Sequence, residues 1–101
     1  NSCNFGFDAG EFMDALPLER TCYVHVAGHY VEPDGLLIDT HGAEVIDPVW
    51  QLLDTTYELL GVHPTCLERD FNIPPLAELV PEVARIAEIQ SGHVRRPARA
   101  A

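Results

Sequence analysis

Three runs of residues have the lengths and side-chain types of β-strands. Residues 21–27 are rich in β-branched and aromatic side chains, which is typical of a strand buried in a sheet. Residues 65–69 are predicted to form the next strand, bounded by Pro64 before it and by the Asn72-Ile-Pro-Pro75 loop after it. Residues 36–40 come after a Pro-Asp-Gly turn and are predicted to be extended. We therefore expect two main strands and one extended insert between them.

Helical patterns of apolar residues lie before, between and after these strands. Asp8 is predicted to cap a short first helix. A longer helix is predicted from Asp47, as its N-cap, to Gly61, because apolar residues recur between them at helical spacing. A third helix is predicted from Leu76, and Pro81 inside it is expected to kink or split it.

The alternation of helices and strands predicts an α/β fold with parallel strands joined by helical crossovers. Two main strands are too few for a parallel sheet, and a (β/α)8 TIM barrel needs eight strands in about 250 residues. We therefore expect residues 1–91 to be the C-terminal portion of one TIM-barrel domain, a fragment whose other strands precede it. Residues 92–101 are rich in Arg, Pro and Ala and are predicted to form a disordered tail.

The charge balance narrows the range of partners. The chain has 16 acidic residues against 6 basic ones and a formal net charge of −10. Such a chain repels a phosphate backbone, which disfavours nucleic-acid binding and favours a cation. No apolar run is long enough to span a bilayer, and 3 cysteines without CxxC spacing fit a reducing compartment. We therefore expect a cytoplasmic protein that binds neither nucleic acid nor membrane.

Two residues near the carboxyl ends of the predicted strands are candidate metal ligands. Alternation along each strand places His25 opposite its valine neighbours and Glu68 opposite Leu67. The aliphatic faces suit packing against helices, so His25 and Glu68 are expected to point into the barrel, at the end where barrel enzymes build their sites. A hydrogen-bonded core histidine, and an ion pair between Glu68 and an arginine such as Arg69, are the structural alternatives.

The triplet Asp39-Thr-His41 supplies two more candidate ligands. In an extended segment Asp39 and His41 project to the same side, and a carboxylate with an imidazole forms a chelating pair for a first-row metal. A turn aspartate followed by an exposed histidine is the alternative. His29, in the loop after the first strand, and Asp70, in the loop after the second, are candidates for contacts in the second layer around the metal. Capping is the more ordinary role for Asp70.

Taken as a set, the motifs of this chain resemble the methanobactin-biosynthesis-type (MbnB-like) family of multinuclear iron enzymes, formerly a domain of unknown function. The resemblance extends from Asn1 to about Ile89. The motifs that carry it occur in this order: Asn4-Phe-Gly-Phe-Asp8, His25-Val-Ala-Gly-His29, Asp39-Thr-His41, Asp47-Pro-Val-Trp50 and Glu68-Arg-Asp70 followed by Asn72-Ile-Pro-Pro75.

The resemblance implies a TIM barrel that uses two or three iron ions and dioxygen to modify cysteine in a ribosomally made precursor peptide, usually with a small partner protein. By position, His25, Asp39, His41 and Glu68 match metal-ligand positions of the family. The family often has His where this chain has Phe5. The family's N-terminal His, Glu, Asp and Asn ligands have no counterpart here, which agrees with the expectation of a C-terminal fragment.

Two other functions remain open at this point. One is another divalent-metal reaction on the same kind of barrel, such as that of an isomerase or a phosphodiesterase. The other is a non-catalytic interaction module, in which the acidic surface binds a basic partner and the histidines are structural. The sequence favours an iron-dependent oxidoreductase of natural-product biosynthesis, which we expect to be inactive as an isolated fragment.

Overall fold

The computed structural model describes residues 1–94 and has a mixed α/β fold. Strand β1 (Val24–Ala27) pairs in parallel with strand β4 (Thr65–Glu68), with Val24 opposite Thr65 and Ala27 opposite Glu68. The parallel pairing predicted from the alternation of elements is therefore confirmed. Both strands are shorter than the predicted runs, and the residues before Val24 are irregular.

The remaining elements lie before, between and after these two strands. A hairpin of two short antiparallel strands, β2 (Tyr30–Val31) and β3 (Leu37–Ile38), is inserted between β1 and the next helix. The helices, with one 3-10 turn, are α1 (Ser2–Phe5), α2 (Ala9–Asp14), the turn Leu18–Arg20, α3 (Asp47–Leu60) and α4 (Leu76–Val94). Asp8 caps α2 as expected, because its carboxylate accepts the Glu11 N–H at 2.9 Å.

The hydrophobic core lies between the β1–β4 pair and helices α3 and α4. Val24 and Leu67 pack against it, which confirms the prediction that the aliphatic faces of both strands meet helices. Burial of each large apolar side chain stabilises the fold by about 1.5–3 kcal/mol. The buried members are Val26, Val45, Trp50, Leu53, Tyr57 and Ile86.

The two long helices begin and continue differently from the sequence-based expectation. The N-cap of α3 is Ile46, and Asp47 lies inside the first turn, where it pairs with Arg85 at 3.3 Å. Helix α4 runs unbroken through Pro81, so of the two expected outcomes the split is wrong and the kink stays a prediction. Pro81 removes one intrahelical hydrogen bond, but the turns on either side of it remain helical.

Helix α4 also continues through Gly92 to Val94, into the segment predicted to be a tail. The other residues of that predicted tail lie outside the described residues. Within residues 1–94, no helix is both long and apolar enough to cross a membrane. Several large apolar side chains lie on the surface, among them Phe5 (77% exposed), Leu76 (74%) and Tyr23 (62%).

Candidate metal centre

The parallel pairing of β1 and β4 brings their carboxyl ends together, and with them the two strand candidates. The side chain of His25 lies on the opposite face of β1 from the buried Val26, as alternation requires. His25 Nδ1 is 3.2 Å from Glu68 Oε2. Both side chains remain partly exposed, at 42% for His25 and 28% for Glu68. These two groups therefore form one wall of an open, polar site.

The segment after the β2–β3 hairpin brings a second imidazole to the same site. The backbone of His41 has a positive φ of 58°, its N–H donates to Gly28 O at 3.2 Å, and its carbonyl accepts the Asp70 N–H at 2.8 Å. Gly28 permits this approach, because a Cβ at that position would overlap the backbone carbonyl of Ala43. The loop that carries His41 is thus held against the ends of β1 and β4 by backbone contacts.

Carboxylates surround both nitrogens of His41. Its Nε2 is 2.7 Å from Asp39 Oδ1, and its Nδ1 is 3.0 Å from Asp70 Oδ2 and 3.8 Å from Glu68 Oε2. The hydrogen bond with Asp70 raises the pKa of His41 above its ordinary value; desolvation lowers it, and Asp39 and Glu68 raise it further. The ring is therefore arranged to donate from both nitrogens while no metal is bound.

Three donors of this cluster meet closely enough to share one ion. One ligand atom each from His41, Glu68 and Asp70 can be chosen so that all three lie within 4.8 Å of one another. His25 extends the group through Glu68, and Asp39 extends it through His41. Carboxylate and imidazole donors suit first-row divalent metals such as iron, and a cation would relieve the repulsion among three clustered carboxylates. The chemistry of the donor set therefore fits a bound metal.

The structure brings the four ligand candidates from the sequence into one cluster, and it adds Asp70 to them. Asp70, which was expected to cap a turn or to stand behind the ligands, contacts His41 as a residue behind the ligands would, and it is also close enough to share an ion with His41 and Glu68. The alternative ion pair between Glu68 and Arg69 is absent from residues 1–94, because Arg69 pairs with Glu82. The tight turn after β4, which turns Asp70 back toward His41, has no clear sequence signal beyond the spacing of Glu68 and Asp70.

His29 and His63 lie outside this cluster. His29 is half-buried and shares with Asp39 the wall of an adjacent cavity of about 330 Å³. His63 stands before β4, at the opposite end of the strand from Glu68, and its Nδ1 is 3.2 Å from Gly61 O. His63 therefore lies apart from the candidate ligands.

The fold and the cluster together define the class: an α/β protein with a histidine–carboxylate cluster, a candidate metal centre, at the carboxyl ends of parallel strands. The chain belongs to the family described as RiPP precursor modification enzyme MbnB/TglH/ChrH, whose model matches residues 1–91. The resemblance inferred from the sequence motifs is therefore confirmed. RiPP denotes a ribosomally synthesised, post-translationally modified peptide, so members of the family act on precursor peptides.

Curated relatives are similar over most of this chain and carry only a family label. A UPF0276 protein from Nitrosospira multiformis is 59% identical over 93 residues, which cover 92% of this chain and 33% of that protein. A UPF0276 protein from Shewanella sediminis is 57% identical over 90 residues, covering 89% of this chain and 32% of that protein. The chain thus spans about a third of the length of these relatives. No solved structure matches it significantly.

Proposed function

We propose that this chain is the C-terminal part of a (β/α)8 barrel enzyme that uses two or three iron ions to oxidise cysteine in a ribosomal precursor peptide. Membership of a precursor-modifying family supports the reaction class. The length of the relatives, about three times that of the matched segment, supports the barrel. A small partner protein and a cytoplasmic location belong to the same proposal.

The observation that carries this proposal is the cluster of donors at the ends of β1 and β4. His25 and Glu68 are fixed by the strands, whereas Asp39, His41 and Asp70 come from the loops that follow. Barrel enzymes place their chemistry at this end of the sheet. A solvated acidic surface would not need two imidazoles between its carboxylates, so the arrangement favours a metal centre over an interaction module.

Each residue has a distinct part in this scheme. Glu68 lies between the two imidazoles, and Glu68, His25 and His41 would hold the metal through one carboxylate and two nitrogen donors. Asp39 contacts His41 Nε2 and would be a ligand of the same chelating pair, and Asp70, which can share one ion with His41 and Glu68, also holds the His41 ring in place. A metal binds the neutral imidazole, so the neighbouring carboxylates, which raise the pKa of His41, make protons compete with the metal there. When bound, iron supplies the redox chemistry for oxidation of the peptide thiol by dioxygen.

The surface of the chain supports its being part of a larger barrel. Within residues 1–94, β1 and β4 pair only with each other, so each has one free edge. Large aromatic and aliphatic side chains such as Phe5 and Leu76 are also exposed and could be buried against further elements. Further strands and helices of a barrel would cover both features.

The test is the iron content of the whole protein that contains this chain, purified without oxygen. His25→Ala, His41→Ala and Glu68→Gln should each lower the iron per protein and abolish oxidation of a precursor peptide. His63→Ala is the matched control, because it removes a histidine at the other end of the same sheet. If His63→Ala lost iron while His25→Ala and Glu68→Gln kept it, the metal would lie at the opposite end of the strands, and the proposed site would be rejected.

Asp39 and His41 provide a second, internal test of the same proposal. Because Asp39 Oδ1 contacts His41 Nε2, the two residues should act as one unit. The double variant Asp39→Ala/His41→Ala should therefore lose little more iron than either single variant, as expected for coupled groups. A parent protein that holds zinc or manganese and no iron would instead favour an isomerase or phosphodiesterase.

A further inference from the structure

A buried ion pair lies beside the candidate metal centre and takes no part in it directly. Arg69, between Glu68 and Asp70 in the chain, donates from Nη2 to Glu82 Oε1 at 3.1 Å. The Arg69 side chain is 8% exposed and that of Glu82 is 12% exposed. Helix α4, which carries Glu82, is thereby joined to the end of β4, where the candidate ligands Glu68 and Asp70 lie on either side of Arg69.

The other oxygen of Glu82 reaches the second ligand-bearing loop. Glu82 Oε2 accepts the backbone N–H of Val45 at 2.8 Å. Val45 is a core residue with 8% exposure, and it lies four positions after His41. One carboxylate on α4 therefore binds both the turn after β4 and the segment after the β2–β3 hairpin.

These two loops also depend on each other. The Asp70 N–H donates to His41 O at 2.8 Å, and Asn72 Nδ2 donates to Gly42 O at 3.1 Å. Arg69 Nη1 adds a longer contact to Asn72 O at 3.4 Å. His41 and Asn72 both have positive φ, at 58° and 51°, and such conformations persist where surrounding contacts hold them. The Glu82 carboxylate supplies a contact of this kind from outside the loops.

Stability alone is a poor explanation for this pair. Burying two charges carries a large desolvation cost, and apolar replacements of similar volume are often neutral or stabilising. Arg69 Nε is moreover buried with no hydrogen-bond partner in the part of the chain that the structure describes. A pair that leaves a buried donor unsatisfied is better suited to fixing geometry than to maximising stability.

We infer that Arg69 and Glu82 are positioning residues that set the spacing of His41 relative to Glu68 and Asp70. The inference rests on the proposed function, and it adds two residues outside the set of candidate ligands to the metal centre proposed there. Partners behind the ligands typically change metal affinity by about 10–100-fold when they are removed. We expect an effect of that size here.

The test is the double variant Arg69→Met/Glu82→Gln in the whole protein. Met retains a long unbranched side chain, and the amide oxygen of Gln still accepts the Val45 N–H, so no buried charge is left unpaired. Two quantities are measured: the dissociation constant for ferrous iron under anaerobic conditions, and the hydrogen-exchange rate of the Asp70 amide in the metal-free protein. We expect iron binding weaker by about 10–100-fold and faster exchange at Asp70, with little change in Tm.

Asp47→Asn is the matched control, because Asp47 forms an exposed ion pair with Arg85 of the same helix α4. This variant should leave both quantities unchanged. Iron affinity within twofold of the parent in the folded double variant would overturn the inference. If that variant does not fold, Arg69→Lys replaces it, since this substitution keeps the buried charge but loses the planar fork of donors. Parental affinity in Arg69→Lys would equally overturn it.

The experiment separates this inference from the proposed function. If the parent protein binds no iron, or His41→Ala and Glu68→Gln leave its affinity unchanged, the proposed metal centre fails. The exchange rate at Asp70 then decides the positioning role alone. Faster exchange in the double variant supports positioning of the loops by the ion pair, and an unchanged rate rejects it.

Discussion

Gly28 provides the sharpest test of how the His41 loop is held against the sheet. It follows β1, it is buried, and its carbonyl accepts the His41 N–H at 3.2 Å. A Cβ at this position would overlap the backbone carbonyls of Ala43 and Glu44. Because both obstacles are main-chain atoms, a rotamer change cannot relieve the overlap. Gly28→Ala must therefore displace the loop or strain it.

The sign of the effect on stability follows from this geometry. An unobstructed Gly→Ala change stabilises a fold by about 0.4–1 kcal/mol, because it restricts the unfolded chain. Overpacking against atoms that cannot move costs about 1–3 kcal/mol. The overlap is with backbone, so we expect the cost to exceed the gain and the free energy of unfolding to fall. We also expect iron affinity to drop at least about tenfold, because His41 moves with the loop.

The assay compares three glycine variants of the whole protein by chemical denaturation and iron titration. Gly92→Ala, in helix α4 with no neighbouring atom within 4 Å, should stabilise the protein by about 0.5–1 kcal/mol. Gly42→Ala meets the ring of Phe71, a half-exposed side chain that can rotate away, and should cost less than Gly28→Ala. If Gly28→Ala were as stable as the parent and bound iron equally well, the close approach of the loop to β1 would be refuted.

Three further outcomes are expected. The isolated 101-residue chain should show no cooperative thermal transition by circular dichroism and no sub-micromolar binding of ferrous iron. The reason is that its described strands have free edges and its apolar side chains are exposed. Slow amide exchange in the isolated chain would contradict this. Leu53→Ala should lower the free energy of unfolding of the whole protein by about 2–5 kcal/mol in denaturant titrations, since Leu53 is only 2% exposed in the core. In the metal-free protein, NMR titration should give His41 a pKa above its ordinary value. Asp70→Asn should lower that pKa, because the hydrogen bond with Asp70 is the largest cause of the increase. The same pKa in the parent and the variant would reject Asp70 as the cause.

The elements with a strong local signal were predictable from the sequence. Alternation along β1 and β4 correctly placed the aliphatic residues against the helices, because a buried strand leaves each side chain only two directions. The same alternation placed His25 and Glu68 on the other face, where their side chains meet. Helix α3 was equally clear, since Gly61 ends it with a positive φ of 85°.

The features that were missed depend on contacts between distant parts of the chain. Asp47 has the residue type of an N-cap, but it pairs with Arg85 from inside the first turn instead. Asp70 becomes part of the cluster only because its N–H meets the carbonyl of His41, a contact that no local pattern encodes. Arg69 is next to Glu68 in the sequence, but its side chain forms an ion pair with Glu82 of α4 instead.

The pairing of β1 with β4 has a consequence for the order in which the protein is assembled. The strands are parallel, so the hairpin and helix α3 must be synthesised before Glu68 can meet His25. A nascent chain therefore exposes these side chains separately. Because such a cluster does not exist in the unfolded chain, a metal bound there would also stabilise the folded state.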